Sequence, residues 1–341
     1  MNGRLRVGLV GYGLAGAQFH SPLLRAAGLD VVRAVTSDPT RRAQVAQDWP
    51  DATCLSSVAA MLGDPHRLDL VVLASPTGVH AEQAIACLNA GLPVVVDKPL
   101  GTDADQAARV LQTSLDLGVP LTVFQNRRWD AEQLTLRRLL AENALGEVFR
   151  FERRWERWRP EPKDRWRENA PAEQGGGLLL DLHSHLVDSA VQLFGPVSHV
   201  YAEMAAHTTK AEDDVFLALR HSNGVRSHLG ALSVAGAPGP RTRVLGREGS
   251  YVVTSFEAEP TAFADLGDLD DEHCGWLVAG EQRTPVPRAA GEAGDFYAAV
   301  VSALRSGEPM PVDPRDAVHV LRVLDGARVS AADGAVVAVR P

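Results

Sequence analysis

Short apolar runs alternate with helix-like stretches through the first third of the chain. The apolar runs cover residues 5–10, 31–36, 68–74, 93–96 and 121–124, and a stretch with helical spacing follows each of them. This alternation is typical of βαβ units, in which consecutive strands lie parallel and a helix forms the crossover. The pattern predicts an α/β domain over residues 1–123, a Rossmann-type doubly wound parallel sheet.

The pattern changes after residue 126. One long amphipathic helix is predicted over residues 131–143, and strand-like runs follow at residues 147–155, 197–203, 214–220, 225–232 and 241–245. Turn sequences at residues 222–224 and 247–249 separate neighbouring runs, which indicates antiparallel pairing. Residues 124–341 are therefore predicted to form an α+β domain on a mostly antiparallel, open-faced sheet.

The end of this second domain contains two predicted helices, at residues 294–305 and 314–333. The C-terminal helix is expected to be able to pack back on the first domain. Residues 257–292 are rich in Asp, Glu, Gly and Pro, and this composition predicts an exposed loop or lid.

Composition and charge narrow the class of protein. The 341 residues are 45% hydrophobic and carry a net charge of -9, with a pI near 5.7. Binding to nucleic acid needs a dense field of Lys and Arg, so this acidity argues against it. We expect no membrane span and no secretion signal. The cysteines, Cys54, Cys87 and Cys274, are isolated and odd in number, which favours a reducing, cytoplasmic setting.

A glycine-rich turn follows the first predicted strand. Gly11, Gly13 and Gly16 form a GxGxxG pattern between that strand and a helix-compatible stretch at residues 17–27. In this motif the first glycine permits the turn, the second lets the backbone approach a pyrophosphate, and the third packs the helix against the strand. The motif indicates a bound dinucleotide, and its expected contacts are Gly11, Tyr12, Gly13, Leu14, Ala15 and Gly16.

The end of the second predicted strand bears on which dinucleotide binds. Sites for NAD usually hold a carboxylate there, which accepts from the ribose 2′-hydroxyl. This chain has Ser37, followed by Arg41 and Arg42, and a hydroxyl near guanidinium groups suits a 2′-phosphate. We therefore expect NADP to be held by Ser37 and Arg41. Asp38 keeps NAD open, and a solvated helix face is the alternative for the two arginines.

Three further loops follow predicted strands at the same edge of the sheet, where open α/β sheets bind their ligands. The candidate cofactor contacts in these loops are Ser75, Pro76, Thr77, His80, Asp97, Lys98 and Gln125. His80 is also expected to begin and cap the next helix. Pro99 fixes the turn behind Lys98, because its ring restricts the backbone.

A run of three glycines opens a second motif. Residues 174–188 read QGGGLLLDLHSHLVD, in which Asp181, His185 and Asp188 are spaced at i, i+4 and i+7. On a helix this spacing puts the three side chains on one face, where a carboxylate and an imidazole can converge on one substrate group. We interpret it as a proton-transfer site. The alternatives are a capped helix with a core histidine and a zinc site of Asp181, His183 and His185.

These motifs, in this order, resemble those of the glucose-fructose oxidoreductase and inositol dehydrogenase family (Gfo/Idh/MocA). The resemblance covers essentially the whole chain. Within the family, the chain is most similar to the group of NADP-dependent scyllo-inositol 2-dehydrogenases. The segments that carry this similarity are GYGLAG at 11–16, FHSPLL at 19–24, QNRRWD at 125–130, Arg159-Pro160 and RWRE at 165–168.

The resemblance implies that Lys98, Asp181 and His185 are catalytic in hydride transfer between a secondary alcohol of a cyclic polyol or sugar and nicotinamide. His185 would be the base, Lys98 would hydrogen-bond to the reacting oxygen, and Asp181 would hold His185 or the hydroxyl in line. Two positions depart from the family pattern. Asp97 stands where glutamate is usual, and His183 stands where glycine is common.

Candidates for recognising polyol hydroxyls are Asn126, Arg127, Arg157, Trp158, Arg159 and Asp188. Trp158 is expected to stack on the apolar face of a ring. The alternative for Trp155, Trp158 and Trp166 is a role as core or interface aromatics.

Other functions stay open at this point: a different sugar dehydrogenase of the same family, an NAD(P)-binding sensor, and a redox-neutral glycosidase. Retention of Lys98, Asp181 and His185 together argues against a sensor. Because an antiparallel sheet leaves one face uncovered, we also expect a homodimer or homotetramer that forms through that face.

Overall fold

The computed structural model describes residues 3–254 and 266–340, which divide into two compact units. The first unit takes the described residues up to Asn126 together with Ala293–Val318. The second takes Arg127–Glu292 and the described residues from His319 onward.

The first unit is built on a six-stranded parallel sheet with the order β3-β2-β1-β4-β5-β6. Its strands are β1 (Arg6–Val10), β2 (Asp30–Val35), β3 (Thr53–Leu55), β4 (Leu70–Leu73), β5 (Val94–Asp97) and β6 (Leu121–Phe124). The predicted doubly wound sheet is confirmed. The direction of winding reverses between β1 and β4, and such a reversal opens a crevice at the carboxyl ends of the strands. Only the three-residue strand β3 was not predicted in this sheet.

Helices connect these strands. A π-helical segment (Ala15–His20) runs into α1 (Ser21–Ala26), so the single helix expected at residues 17–27 begins with wider turns. The helices that follow are α2 (Pro39–Asp48), α3 (Val58–Leu62), α4 (His80–Asn89) and α5 (Ala104–Leu117).

The second unit is built on a nine-stranded sheet with the order β14-β13-β12-β11-β7-β10-β9-β8-β15. Its strands are β7 (Val148–Glu156), β8 (Val197–Ala205), β9 (Asp214–His221), β10 (Arg226–Leu232), β11 (Thr242–Gly246), β12 (Ser250–Val253), β13 (His273–Ala279), β14 (Gln282–Pro287) and β15 (Val337–Ala338). The pair β7 and β10 is parallel, and the other pairs are antiparallel. The predicted mostly antiparallel sheet is therefore confirmed.

The prediction of an exposed loop or lid at residues 257–292 is wrong for part of that range. Residues 273–287 form the hairpin of β13 and β14, which extends the sheet. Residues 255–265 lie outside the described part of the chain. The hairpin escaped prediction because β14 contains Pro285 and Pro287 and exposes nearly all of its side chains, as edge strands can.

The helices of the second half are α6 (Ala131–Ala141), the four-residue α7 (Trp166–Asn169), α8 (Ser184–Phe194), α9 (Gly294–Ser306) and α10 (Pro314–Asp333). Helix α9 belongs to the first unit, and α10 begins in the first unit and continues into the second. Helix α8 packs against β7 and β10. In the described part of the chain, no helix combines the length and apolarity needed to span a bilayer.

Candidate functional site

The first glycine turn is shaped by Gly11, whose φ is +88°. A Cβ at this position would lie 2.5 Å from the carbonyl oxygen of Ala74, so the turn packs directly against the end of β4. The side chain of Tyr12 is buried, and its hydroxyl donates to Asp48 Oδ2 at 2.7 Å. Burial and this carboxylate raise the pKa of Tyr12 to about 12. Tyr12 therefore leaves only its backbone for a cofactor.

Asp38 acts as the N-cap of α2. Its Oδ1 accepts hydrogen bonds from the backbone N–H groups of Thr40 at 2.8 Å and Arg41 at 3.1 Å. The carboxylate thus satisfies donors at the helix terminus, which is the usual work of an aspartate at this position.

The guanidinium of Arg41 lies beside the glycine turn. A Cβ built on Gly13 would be 3.8 Å from Arg41 Cζ. Ser37 is exposed, as is Arg41. Arg42 is directed elsewhere, since its Nε donates to the carbonyl oxygen of Thr36 at 3.0 Å. Among these arginines, Arg41 is the one placed next to the expected dinucleotide path.

His80 joins the loops that follow β4 and β5. Its Nε2 lies 2.8 Å from the carbonyl oxygen of Ser75, and its Nδ1 lies 2.8 Å from that of Pro99. Ser75 Oγ also donates to Gln83 Oε1 at 2.6 Å. Pro76 and Thr77 lie between these anchors, where Thr77 begins a short 3-10 helix. His80 begins α4 as expected, and its ring holds two candidate cofactor loops together.

Asp97 lies at the end of β5 beside a buried histidine. Its Oδ1 accepts from the backbone N–H of Lys98 at 2.8 Å, and its Oδ2 is 3.9 Å from His20 Nε2. His20 Nδ1 is in turn 2.6 Å from the hydroxyl of Tyr297. Burial acts to raise the pKa of Asp97, but His20, Lys98 and His80 lower it overall. Asp97 is therefore held as an anion next to the candidate catalytic Lys98.

Two candidates follow β6. Gln125 is buried, and Asn126 begins a short 3-10 helix that runs to Trp129. Sequence reasoning missed His20 and Tyr297, although the FHSPLL segment contained a signal for His20.

The triple glycine of the second unit allows a close approach of three segments. Gly177 has a φ of +89°, and a Cβ there would overlap the carboxylate of Glu212. Its N–H donates to the carbonyl oxygen of Arg167 at 2.9 Å. Glu212 Oε1 accepts from the N–H of Leu179 at 3.2 Å, at the start of a π-helical segment (Leu179–His183) that leads into α8. The glycines thus allow the start of the π-helical segment that contains Asp181 to pack closely against Glu212 and Arg167.

A cavity of about 340 Å³ lies within the second unit, and Asp181 is part of its wall. Apolar surface comes from Trp155, Leu178, Leu182 and Leu232. The charged residues of the wall are Arg157, Arg159, Glu161, Lys163, Arg165, Arg167, Glu168, Asp181, Glu212 and Asp213. The cavity therefore offers hydrogen-bond donors and acceptors beside an apolar surface.

His185 is nearly buried, at 9% exposure, and packs against Trp155 with ring centroids 5.9 Å apart. The guanidinium groups of Arg127 and Arg157 lie 5.0 Å from the Trp155 ring. His185 lines a separate small cavity of about 10 Å³ together with Arg127 and Asp130. Asp181 and His185 thus line different cavities. Trp155 is part of the wall of the larger cavity, and its ring packs against His185 of the smaller one. Their convergence on one substrate group stays a prediction.

The remaining substrate candidates differ in their surroundings. Arg157 and Arg159 line the larger cavity. Trp158 is 60% exposed and is not among the described residues of the cavity wall. Asp188 is buried, and its oxygens accept from Arg128 Nε at 2.9 Å and Nη2 at 2.6 Å. This geometry gives Asp188 a structural partner in the core of the unit. Trp155 is buried, as the core alternative for it predicts.

His183 is a core histidine. It is fully buried, and its Nε2 lies 3.2 Å from the carbonyl oxygen of Val215. Burial lowers the pKa of His183 to about 4. Within the described residues, no group of three or more His, Cys, Asp or Glu side chains is arranged to hold a metal ion, so the DxHxH zinc hypothesis gains no support from the geometry.

The depressed pKa of His183 predicts a loss of stability in acid. Between its ordinary pKa of 6.5 and about 4, the unfolded chain binds a proton there that the folded chain does not. The free energy of unfolding should therefore fall as the pH drops through this window, by up to about 1.4 kcal/mol per pH unit from this group. Urea denaturation across the window should show a smaller slope in His183→Gln. The exposed His199 gives the control, His199→Gln, and equal slopes in all three proteins would contradict the prediction.

Comparison with known proteins finds a matching family model for each of the two units. Residues 5–125 match an oxidoreductase family with an NAD-binding Rossmann fold, and residues 133–252 match the GFO/IDH/MocA C-terminal domain. The chain is 35% identical over 337 residues to the "Uncharacterized oxidoreductase YdgJ" of Escherichia coli, covering 95% of this chain and 96% of that one. It is 29% identical to the scyllo-inositol 2-dehydrogenase (NADP(+)) IolW of Bacillus subtilis, covering 96% and 93% of the two chains. The solved structure of yvaA from Bacillus subtilis matches with a TM-score of 0.87 and 28% identity, over 100% of this chain and 99% of that one.

Proposed function

This chain belongs to the Gfo/Idh/MocA family of NAD(P)-dependent oxidoreductases, and we propose that it oxidises or reduces a secondary alcohol of a cyclic, inositol-like polyol or a sugar. The observation that carries this proposal is the cavity of about 340 Å³ around Asp181. Neighbouring hydroxyls of a polyol need both donors and acceptors, and the carbon face of its ring needs apolar contact. Guanidinium groups, carboxylates and the Trp155 and leucine side chains of the wall meet these needs.

The proposed chemistry uses Lys98, Asp181 and His185. A bound nicotinamide supplies or accepts the hydride. His185 takes the hydroxyl proton, which suits an imidazole because its ordinary pKa is near neutral. The Lys98 ammonium stabilises negative charge that develops on the reacting oxygen. Asp181 accepts a hydrogen bond from a neighbouring hydroxyl of the substrate and so fixes the direction of the reacting one.

We propose NADP as the preferred dinucleotide, with NAD as the alternative. The position of Arg41 beside Gly13 supports this preference, as does the exposed hydroxyl of Ser37. The use of the Asp38 carboxylate as a helix cap also supports it, because a capping carboxylate has less capacity to accept from a ribose hydroxyl.

Two substitutions test this preference. Arg41→Ala should weaken NADP binding by about tenfold or more with little effect on NAD, because it removes a charge-assisted contact to the 2′-phosphate. Ser37→Asp should shift the ratio in the same direction by adding a repelling carboxylate. Dissociation constants for both dinucleotides can be measured by fluorescence titration. Arg42→Ala is the matched control, and an unchanged NADP to NAD ratio in Arg41→Ala would place that guanidinium away from the ribose.

The function itself is tested by incubating the purified protein with NADP, and separately with NAD, against inositols and common aldoses. Absorbance of the reduced nicotinamide reports turnover. Oxidation of scyllo-inositol with NADP is the expected result. Activity with an aldose alone would keep the reaction and change the substrate class. Cleavage of a glycoside without net change in absorbance, or dinucleotide binding without any turnover, would replace the proposal by a redox-neutral enzyme or a sensor.

We also propose that the protein is a homodimer or homotetramer. The supporting observation is the sheet face that carries the half-buried rings of Phe216 and His228 on β9 and β10, 6.0 Å apart. Light scattering at micromolar concentration tests this, and a monomeric mass would contradict it.

A further inference from the structure

Arg167 contacts the candidate catalytic carboxylate directly. Its Nε lies 3.3 Å from Asp181 Oδ1, and the two side chains are 28% and 29% exposed. Both line the larger cavity of the second unit. The pair is therefore accessible from the place where the proposed substrate binds, and it joins the guanidinium to one oxygen of the carboxylate.

Main-chain hydrogen bonds of Gly177 connect it to both Arg167 and Asp181. The N–H of Gly177 donates to the carbonyl oxygen of Arg167 at 2.9 Å, and the N–H of Asp181 donates to the carbonyl oxygen of Gly177 at 3.2 Å. On the other side of α7, the carbonyl oxygen of Glu168 accepts from the N–H groups of Lys210 and Ala211, both at 3.2 Å. Main-chain bonds thus fix the backbone of Arg167 relative to that of Asp181.

The glycine run is what permits this arrangement. A Cβ at Gly176 would overlap the carbonyl group of Ala170, just after α7, and a Cβ at Gly177 would overlap Glu212. Larger residues at these two positions would push α7 away from the start of the π-helical segment that contains Asp181. The glycines of the second motif therefore bring a guanidinium to the carboxylate as well as starting a helix.

From this geometry we propose that Arg167 is a positioning residue for Asp181 in the reaction proposed above. The guanidinium fixes the rotamer of the carboxylate, so that the carboxylate accepts a hydrogen bond from the substrate hydroxyl next to the reacting one and holds the substrate in line. A partly exposed ion pair adds little to stability. Its effect is expected on turnover, because misplacement of a catalytic group by about 1 Å can cost about a hundredfold in rate.

Steady-state kinetics of Arg167→Gln test the proposal. We expect kcat to fall by about ten- to a hundredfold with KM changed by only a few-fold. Arg167→Lys should recover much of the loss, because an ammonium can replace the contact to Oδ1. The effects of Arg167→Gln and Asp181→Asn should not add in the double variant, since residues that act as one unit give non-additive losses.

Arg247 offers a control in the same unit. Its Nε lies 2.9 Å from Glu147 Oε2, and both residues lie outside the wall of the cavity. Arg247→Gln should leave kcat and KM within about threefold of wild type, as expected for an exposed ion pair that does not touch the site. Thermal melts of each variant identify any loss of folding, in which case Arg167→Lys decides the result.

Two kinetic outcomes would overturn the proposal. A rise in KM with unchanged kcat, together with additive effects in the double variant, would mean that Arg167 binds substrate by itself. Wild-type kinetics in Arg167→Gln would mean that the ion pair has no role in turnover.

The proposal rests on the proposed function, and a measurement without substrate separates the two. In protein labelled with ¹³C at aspartate carboxyl groups, the signal missing from Asp181→Asn identifies Asp181. We expect this signal to shift in Arg167→Gln and to stay in place in Arg247→Gln. A shifted signal in a protein that turns over no polyol would reject the proposed function and keep the pairing. An unmoved signal would reject the pairing whatever the substrate is.

Discussion

Replacement of His185 or Lys98 by alanine is expected to lower kcat by about two to four orders of magnitude. Loss of His185 removes the group that takes the hydroxyl proton. Loss of Lys98 removes the positive charge that stabilises the developing alkoxide. For His185→Ala the dissociation constant of the dinucleotide should change little, because His185 lies in the second unit, packed against Trp155. Steady-state rates and fluorescence titration of the dinucleotide measure the two effects separately.

His199→Ala is the control for this experiment, since His199 is an exposed histidine of the same unit. It should retain wild-type turnover. Activity of His185→Ala within a few-fold of wild type would reject its role as the base, and the same result for Lys98→Ala would reject its role at the reacting oxygen. A large increase in the dinucleotide dissociation constant of His185→Ala would instead assign that histidine to cofactor binding.

The fold was predictable where burial fixes the sequence pattern. The central strands of the first sheet have apolar residues on both faces, as in β4 with four buried residues in succession, so their runs are visible in the sequence. Prediction failed toward one end of the second sheet, where β12, β13 and β14 were not predicted. The strand β14 buries only Val286, and a strand that buries so few side chains shows no alternation of apolar and polar residues. The segments β3 and β15 are too short to show one.

The candidate site was predictable to the extent that topology determines it. Parallel strands end at one edge of a sheet, so the loops with Gly11, Ser75 and Lys98 could be assigned to that edge from sequence. Contacts between distant segments could not be found in the same way. His20 meets Tyr297 across 277 positions of the chain. Arg167 was visible only as part of a motif, and nothing in the spacing shows that its side chain reaches Asp181.

The spacing of Asp181, His185 and Asp188 predicts one functional face, whereas the structure gives the three residues different surroundings. Asp181 lies in a π-helical segment on the cavity wall, and His185 packs on Trp155. Asp188 is held by Arg128 in the interior. Regular spacing on a helix fixes direction only while the helix keeps one geometry, and a change from π to α turns alters it.

Helix α8 contacts buried charged groups: its Asp188 pairs with Arg128, and its Ser189 accepts a hydrogen bond from Arg153. Glu132 of α6 pairs with Arg153 at 3.1 Å and with Arg241 at 3.3 Å, and all three are buried. Burial acts to raise the pKa of Glu132, but the two guanidinium groups lower it overall. The ring of Trp155 lies 5.1 Å from the Arg241 guanidinium and 5.9 Å from His185. The position of the proposed base is therefore tied to the integrity of these buried pairs.

Asp188→Asn is expected to lower the free energy of unfolding by about 3 to 5 kcal/mol, because it removes a charge that pairs with the buried Arg128 guanidinium. Urea denaturation followed by circular dichroism measures this loss. Glu147→Gln is the control: Glu147 and Arg247 pair at 2.9 Å but are 69% and 72% exposed, so removing that charge should cost less than about 1 kcal/mol. The double replacement Arg128→Met and Asp188→Leu should retain more stability than Asp188→Asn alone, since it leaves no lone charge. Equal losses in Asp188→Asn and Glu147→Gln would show that water reaches Arg128 and that α8 does not depend on this pair.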